Sequence, residues 1–168
     1  MVNHDFDLYS YFGGLTEHNK LCQQHGFRFV TCSGIENLEG VLDNYKNTSH
    51  FVCLDDSNDA NIFSQGGWFK RRTVTLFFLA RQSFKDLKSR AAQIDLCREI
   101  YRQFLSRLIN DRYKFEDNMM FVRLDNIYTR DINTAAMGDI CGMYMMFYID
   151  EPIDLTYDDS LWITTQGQ

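Results

Sequence analysis

His50 stands three residues before Cys53, and Asp55 and Asp56 follow after Leu54. These are the types needed for a thiol nucleophile, an imidazole base and an acid that orients the imidazole. The chemistry requires thiolate and imidazole within hydrogen-bond reach. His50 to Leu54 reads as a short strand, and strand alternation sends Cys53 to the face opposite His50. No catalytic residue is expected, and the chain is read as a protein other than an enzyme. Asp55, Asp56, Asn58 and Asp59 offer oxygen ligands for a hard cation. The run lacks the glycine and the distal glutamate of a helix–loop–helix calcium site, so a solvated loop is expected. His18 and His25 lie seven apart without a third ligand at matching spacing. Gly13-Gly14 and Gly66-Gly67 fit neither phosphate-cradling glycine pattern. No metal and no cofactor is expected.

The segment Trp68-Phe69-Lys70-Arg71-Arg72 mixes aromatics with cations. Such a mixture can stack bases and neutralise phosphates. It also suits a protein contact, since Trp, Phe and Arg are enriched where interface energy concentrates. A formal charge of −6 counts against a dedicated nucleic-acid binder. That charge is unevenly placed. Residues 1–62 carry three basic and nine acidic side chains, residues 63–114 twelve and four, and residues 115–168 two and ten. A basic middle between acidic ends can present complementary patches to neighbouring subunits. The expected subunit interface joins Trp68, Phe69, Lys70, Arg71 and Arg72, with Arg98 and Arg102 of the following helix, to Asp150, Glu151 and Asp154 of a neighbour.

Five cysteines at 22, 32, 53, 97 and 141 show no C-x-x-C spacing, and most sit in or beside apolar segments. They read as reduced core residues of a reducing compartment. Met1 to Ser10 is polar and acidic, without the basic and apolar regions of an export signal. The longest apolar run, Ile140 to Ile149, is too short to cross a bilayer. The chain is expected to be cytoplasmic and free of the membrane.

The elements that must carry these residues follow from periodicity. Leu15, His18, Leu21 and Cys22 share a helical stripe, with Thr16 as its cap and Gly26 at its end. Phe27 to Cys32 alternates as a strand. Ser33 and Glu36 form a capping-box pattern before Ile35, Leu38, Leu42 and Tyr45, a helix ending near Asn47. Asp55 to Gly67 reads as a long loop and Arg72 to Ala80 as a strand apolar on both faces in its second half. Ser83 with Asp86 should cap a long helix to about Asp111. Its stripe is Leu87, Ala91, Ile94, Cys97, Tyr101, Phe104 and Leu108, and its outer face carries Lys88, Arg90, Arg98, Arg102 and Arg107. Met119–Tyr128 and Ile140–Ile149 read as a closing hairpin joined by residues 131–139. The expectation is an α+β fold, with a mixed or mainly antiparallel sheet of about five strands and the long helix on one face. One domain should span residues 1–158, with a loose tail from 159 to 168. Apolar strands in excess of what one helix covers argue for oligomerisation. Met143-Tyr-Met-Met146 fits either core or an adaptable contact surface.

This layout resembles the tail terminator, or tail-completion, proteins of tailed phages and prophages. The match is one of order over about residues 15–158: the strand Thr73–Ala80, the long helix Ser83–Asp111, the hairpin Met119–Ile149, and the ending Asp150-Glu-Pro-Ile-Asp154. The resemblance implies a structural virion protein without catalytic residues. It implies partners in further copies of itself, usually a hexameric ring, and in other virion proteins. A non-viral protein-binding or regulatory domain is the alternative reading. A nucleic-acid-associated protein and an unfamiliar enzyme follow it.

Overall fold

The computed structural model describes residues 6–57, 59–83, 85–133 and 139–163, except for the side chains of Ile35, Glu36 and Glu39. In chain order it holds α1 (Leu8–His18), α2 (Lys20–His25), β1 (Phe27–Cys32), α3 (Ile35–Asp43), β2 (His50–Asp55), β3 (Ala60–Ser64), β4 (Trp68–Arg81), α4 (Leu87–Glu116), β5 (Phe121–Ile132), β6 (Ile140–Pro152) and a 3-10 turn at Asp159–Leu161. The fold is α+β, with one mixed sheet in the order β1-β2-β4-β6-β5. β3 pairs with the first half of β4, alongside the β2 position. Among the described residues only β1 and β2 run parallel; the other paired strands are antiparallel.

The long helix forms as its periodicity requires, with shifted ends. Asp86 caps it by accepting from the Ser89 N–H; Ser83 does not. It continues past Asp111 to Glu116, because Phe115 extends the buried stripe of Ile94, Cys97, Ile100, Phe104 and Leu108. At 1.5 Å per residue its 30 residues span about 45 Å. Phe104 meets Phe78 of β4 edge-to-face at 5.3 Å. Each of these fully buried apolar side chains stabilises by about 1.5–3 kcal/mol. The expected stripe is wrong at its start, where Leu87 and Ala91 are exposed. Arg90, expected on the outer face, is only 1% exposed. Its guanidinium donates to the carbonyls of Gln82 and Ile140 and to Asn133 Oδ1, tying both loops at this end to the helix.

The N-terminal helix begins at Leu8 under an Asp7 cap, whereas Thr16 lies inside it and donates to the Phe12 carbonyl. Gly13 is tolerated there because the Phe29 ring lies against it; a Cβ would come within 3.3 Å of that ring. Asn19 caps α2, and Gly26 ends it at φ 66°, in the left-handed region as expected. The capping box before α3 does not form as read. Gly34 is the cap residue, and the Ser33 hydroxyl donates instead to Asp56 Oδ1. The Glu36 side chain lies outside the described ones. α3 ends at Asp43, earlier than Asn47.

The expected loop 55–67 contains β3, which turns into β4 through Gln65-Gly66-Gly67 with Gly66 at φ 69°. β3 is largely exposed on both faces, so it shows no apolar alternation to read. β5 starts at Phe121 and reaches Ile132, with an irregularity between Arg123 and Tyr128. β6 runs on to Pro152.

The two sheet faces are covered differently. On one, α1, α2 and α4 bury Val52, Leu54, Val74, Leu76, Phe78 and the odd-numbered positions 141–149 of β6. On the other, α3 places Leu38 and Leu42 over Phe51, Cys53, Phe77 and Leu79. α3 therefore covers part of the apolar surplus that argued for oligomerisation. Among the described residues, no helix is long and apolar enough to cross a membrane.

Candidate assembly surface

Of the expected interface residues, those of 68–72 and 150–151 gather at one end of the sheet, in an arrangement that sequence order alone does not give; Arg98 and Arg102 lie apart on α4, Arg98 against Asp131 near the other end of β5. β4 and β6 pair with Phe69 opposite Pro152, Lys70 opposite Glu151 and Arg71 opposite Asp150. Arg71 Nε donates to Asp150 Oδ1 at 2.6 Å and its Nη2 to Oδ2 at 2.8 Å, a bidentate pair. These bonds push the Arg71 guanidinium above its ordinary pKa. Arg72 donates to Glu151 Oε1 and to the Phe6 carbonyl, both at 2.9 Å, with the residues 7% and 4% exposed. The Phe6 N–H donates to the same carboxylate oxygen at 2.7 Å. The charges of Arg71 and Arg72 expected to meet a neighbour's Asp150 and Glu151 thus meet those acids in their own chain. The reason is the antiparallel ladder, which lays the start of β4 against the end of β6.

The basic face of α4 is neutralised locally as well. Arg98 donates to Asp95 at 2.7 Å and pairs with Asp131 of β5. Arg102 donates to Glu99 at 2.6 and 2.8 Å, and those bonds with Gln103's hold the Glu99 carboxyl down to about 2. Arg107 and Lys114 both donate to the buried Asp111. Burial pushes the Asp111 carboxyl up, but its two cations more than offset this and hold it below the ordinary value. Exposed, solvent-screened pairs of the Arg98 and Arg102 kind contribute little to stability and leave little net field to steer a partner.

Three features at this end remain open. The first is a cleft of about 250 Å³ lined by Phe63, Gln65, Phe69, Phe121, Arg123 and Asp150. Phe63 stacks on Phe69 at 5.7 Å, and Arg71 lies 4.9 Å from the Phe63 ring centroid. The second is the sheet face that continues from this cleft toward α3. Tyr128 and Arg130 of β5 stand opposite Met146 and Tyr144 of β6, and Arg123 stands opposite Tyr148. The tyrosine rings of 128 and 144 are 5.9 Å apart. Burial, and then the neighbouring Tyr128, raise the Tyr144 pKa. Among the described residues no helix of either hydrophobic cluster reaches across this part of the face. The methionine-rich strand divides accordingly. Met143 and Met145 are core, whereas Met146 and Tyr144 are half-buried on the open face.

The third feature is the segment after β6. Ile153 N–H bonds to the Trp68 carbonyl, and the chain then leaves the sheet. Asp154 accepts from the Thr156 N–H, Asp158 caps the 3-10 turn through the Ser160 N–H, and Tyr157 stacks on Trp162. The segment has local order, yet Tyr157 is 70% exposed, Leu161 78%, Trp162 65% and Ile163 97%. The sequence suggests a loose tail from 159 to 168; Leu155, Tyr157 and Leu161-Trp162-Ile163 are the apolar signal that this reading passes over. It also misses Arg123, Tyr128, Arg130, Tyr144 and Tyr148; Tyr144 and Tyr148 alternate with buried neighbours along β6, whereas Tyr128 and Arg130 of β5 have no buried neighbour in sequence to mark them.

The residues weighed for chemistry are dispersed. His50 hydrogen-bonds Gln93 of α4 at 2.8 Å, on one face of β2, while Cys53 is buried on the other in the α3 cluster. Asp55 accepts from the Gly34 and Ser57 N–H groups and the Ser57 hydroxyl. Asn58 lies outside the described residues. All five cysteines are buried free thiols. Burial pushes the Cys22 thiol up to about 12 and raises Cys97 and Cys141; the hydrogen bond with Cys32, then burial, raises Cys53. Folded protein at pH 8 is therefore expected to react far more slowly with a thiol reagent than unfolded protein, where all five label. Rapid native labelling of Cys53 would restore a nucleophilic role.

No protein-family model matches the chain, and no curated protein matches it.

Proposed function

We propose that this chain is a structural subunit that works by binding further copies of itself, as a virion-assembly protein of the tail-completion kind. The observation that carries the reading is the pairing of surfaces at one end. An ordered segment exposes Tyr157, Leu161, Trp162 and Ile163 to solvent, and it leaves the sheet beside an open face of aromatics and arginines. Contiguous apolar surface of this kind is rare on a monomer and marks contact with a partner. The element order, with a long helix between β4 and a closing antiparallel hairpin, supports the tail-completion reading.

A second reading has one observation in its favour. Tyrosines and arginines on an open sheet face can also stack single-stranded bases. The chain's net charge of −6 favours the protein partner.

The assembly reading is tested by negative-stain electron microscopy of the purified full chain. Annular particles of uniform diameter are expected. A field of small single-subunit globules would count against it.

A further inference from the structure

We propose that residues 153–163 of each copy form an arm that seats on the open β4-β6-β5 face of the next copy. This rests on the assembly reading above and names the contact that would make it. The occupant follows from composition. The arm interleaves Leu155, Tyr157, Leu161, Trp162 and Ile163 with Asp154, Asp158 and Asp159. The face offers apolar and aromatic side chains, namely Phe63, Phe121, Tyr128, Met146 and Tyr148, between Arg71, Arg123 and Arg130. Two carboxylates answer those three guanidinium groups among the described residues. Asp150 is held by Arg71 and lies 3.9 Å from Arg123, and Asp125 lies 3.4 Å from Arg123. The remaining positive charge matches the acidic arm in sign, and the apolar side chains match in kind.

The arm does not occupy its own face, since its large side chains stay exposed while the face stays open. Arm and face are different surfaces, and in a head-to-tail arrangement, where each arm seats on the next copy, the contact is heterologous. Contacts of that type propagate from copy to copy, and they close into a ring when the rotation allows. Arm and cleft belong to the same end of the sheet, so an arm reaching the next copy needs no rearrangement of the fold. The arm's short Asx and 3-10 turns pre-order it, which lowers the entropy lost on docking.

The test uses two variants of the full chain, each altered only at exposed groups. One carries Trp162→Ser and Ile163→Ser in the arm; the other carries Arg123→Glu and Arg130→Glu on the face. Wild type, each variant and their equal mixture are compared by analytical ultracentrifugation, with circular dichroism to verify folding. The expected result is an assembled wild type, and two folded variants whose self-association is weakened at least about tenfold. The mixture should form a one-to-one dimer, because the face variant's intact arm meets the arm variant's intact face. A wild type that stays monomeric would overturn the assembly reading and the arm contact together. An arm variant that assembles as wild type does would overturn the arm contact alone. A mixture that stays monomeric would also overturn it. Binding of a single-stranded thymidine oligonucleotide that the face variant loses, with its assembly unchanged, would give the face to nucleic acid and likewise overturn the inference.

Discussion

Gly142→Ala is expected to abolish stable folding. Gly142 lies in β6, between Leu79 of β4 and Ile132 of β5, at φ 143°. A Cβ there would stand 2.0 Å from the Phe78 carbonyl oxygen and 3.0 Å from the Leu79 Cα. Both neighbours are backbone of the central ladder, so no side chain can swing away. Phe78 belongs to the core under α4 and Leu79 to the core under α3, so a shift of this backbone disturbs both. Strain and lost packing together should exceed about 4 kcal/mol, a large share of the stability of a domain this size. Gly40→Ala is the control. It sits in α3 with nothing within 4 Å of an added Cβ, and it should gain up to about 1 kcal/mol of helix propensity. Urea melts of the two variants check both statements. A Gly142→Ala protein with the wild-type midpoint would mean that β4 and β6 do not pair as described.

Arg72→Ala should be the next most damaging change. It strips the guanidinium from the buried Glu151 carboxylate and a donor from the Phe6 carbonyl. Among the described residues the Phe6 N–H is then the remaining donor to that carboxylate, whose Oε2 already lacks a partner. Leaving one member of a buried pair uncompensated costs about 3–5 kcal/mol. The double variant Arg72→Met with Glu151→Leu should regain much of that loss, because it removes both charges and keeps an apolar filling. A double-mutant cycle in urea measures the coupling. Equal stability of Arg72→Ala and wild type would show that the pair adds nothing to the fold. The pair also fastens the N-terminal segment to the end of β6, just before the exposed segment 153–163 leaves the sheet.

The fold was legible where periodicity was strong. The stripe from Ile94 to Leu108 and the apolar run of β6 fix the long helix and the closing hairpin. β3 was hidden because its residues face solvent on both sides, so only the backbone ladder identifies it. Arg90 was misplaced because helical spacing alone treats an arginine as outward. Its burial depends on three oxygens brought from Gln82, Asn133 and Ile140, which the fold alone assembles. The charge map of the sequence was correct in blocks and misleading in partners. A basic segment and an acidic segment some eighty positions apart looked available to neighbours, yet the β4–β6 register pairs Arg71 with Asp150 and brings Arg72 to Glu151. Of the acids singled out there, Asp154 lies on the exposed segment, and the apolar residues around it carry the argument for contact.

The central claim is that this chain associates with itself, and its mass in solution tests that most directly. Light scattering on the purified full chain over a concentration series should give a discrete multiple of the subunit mass, unchanged once assembly is complete. The mass of a single subunit at every concentration would contradict the account.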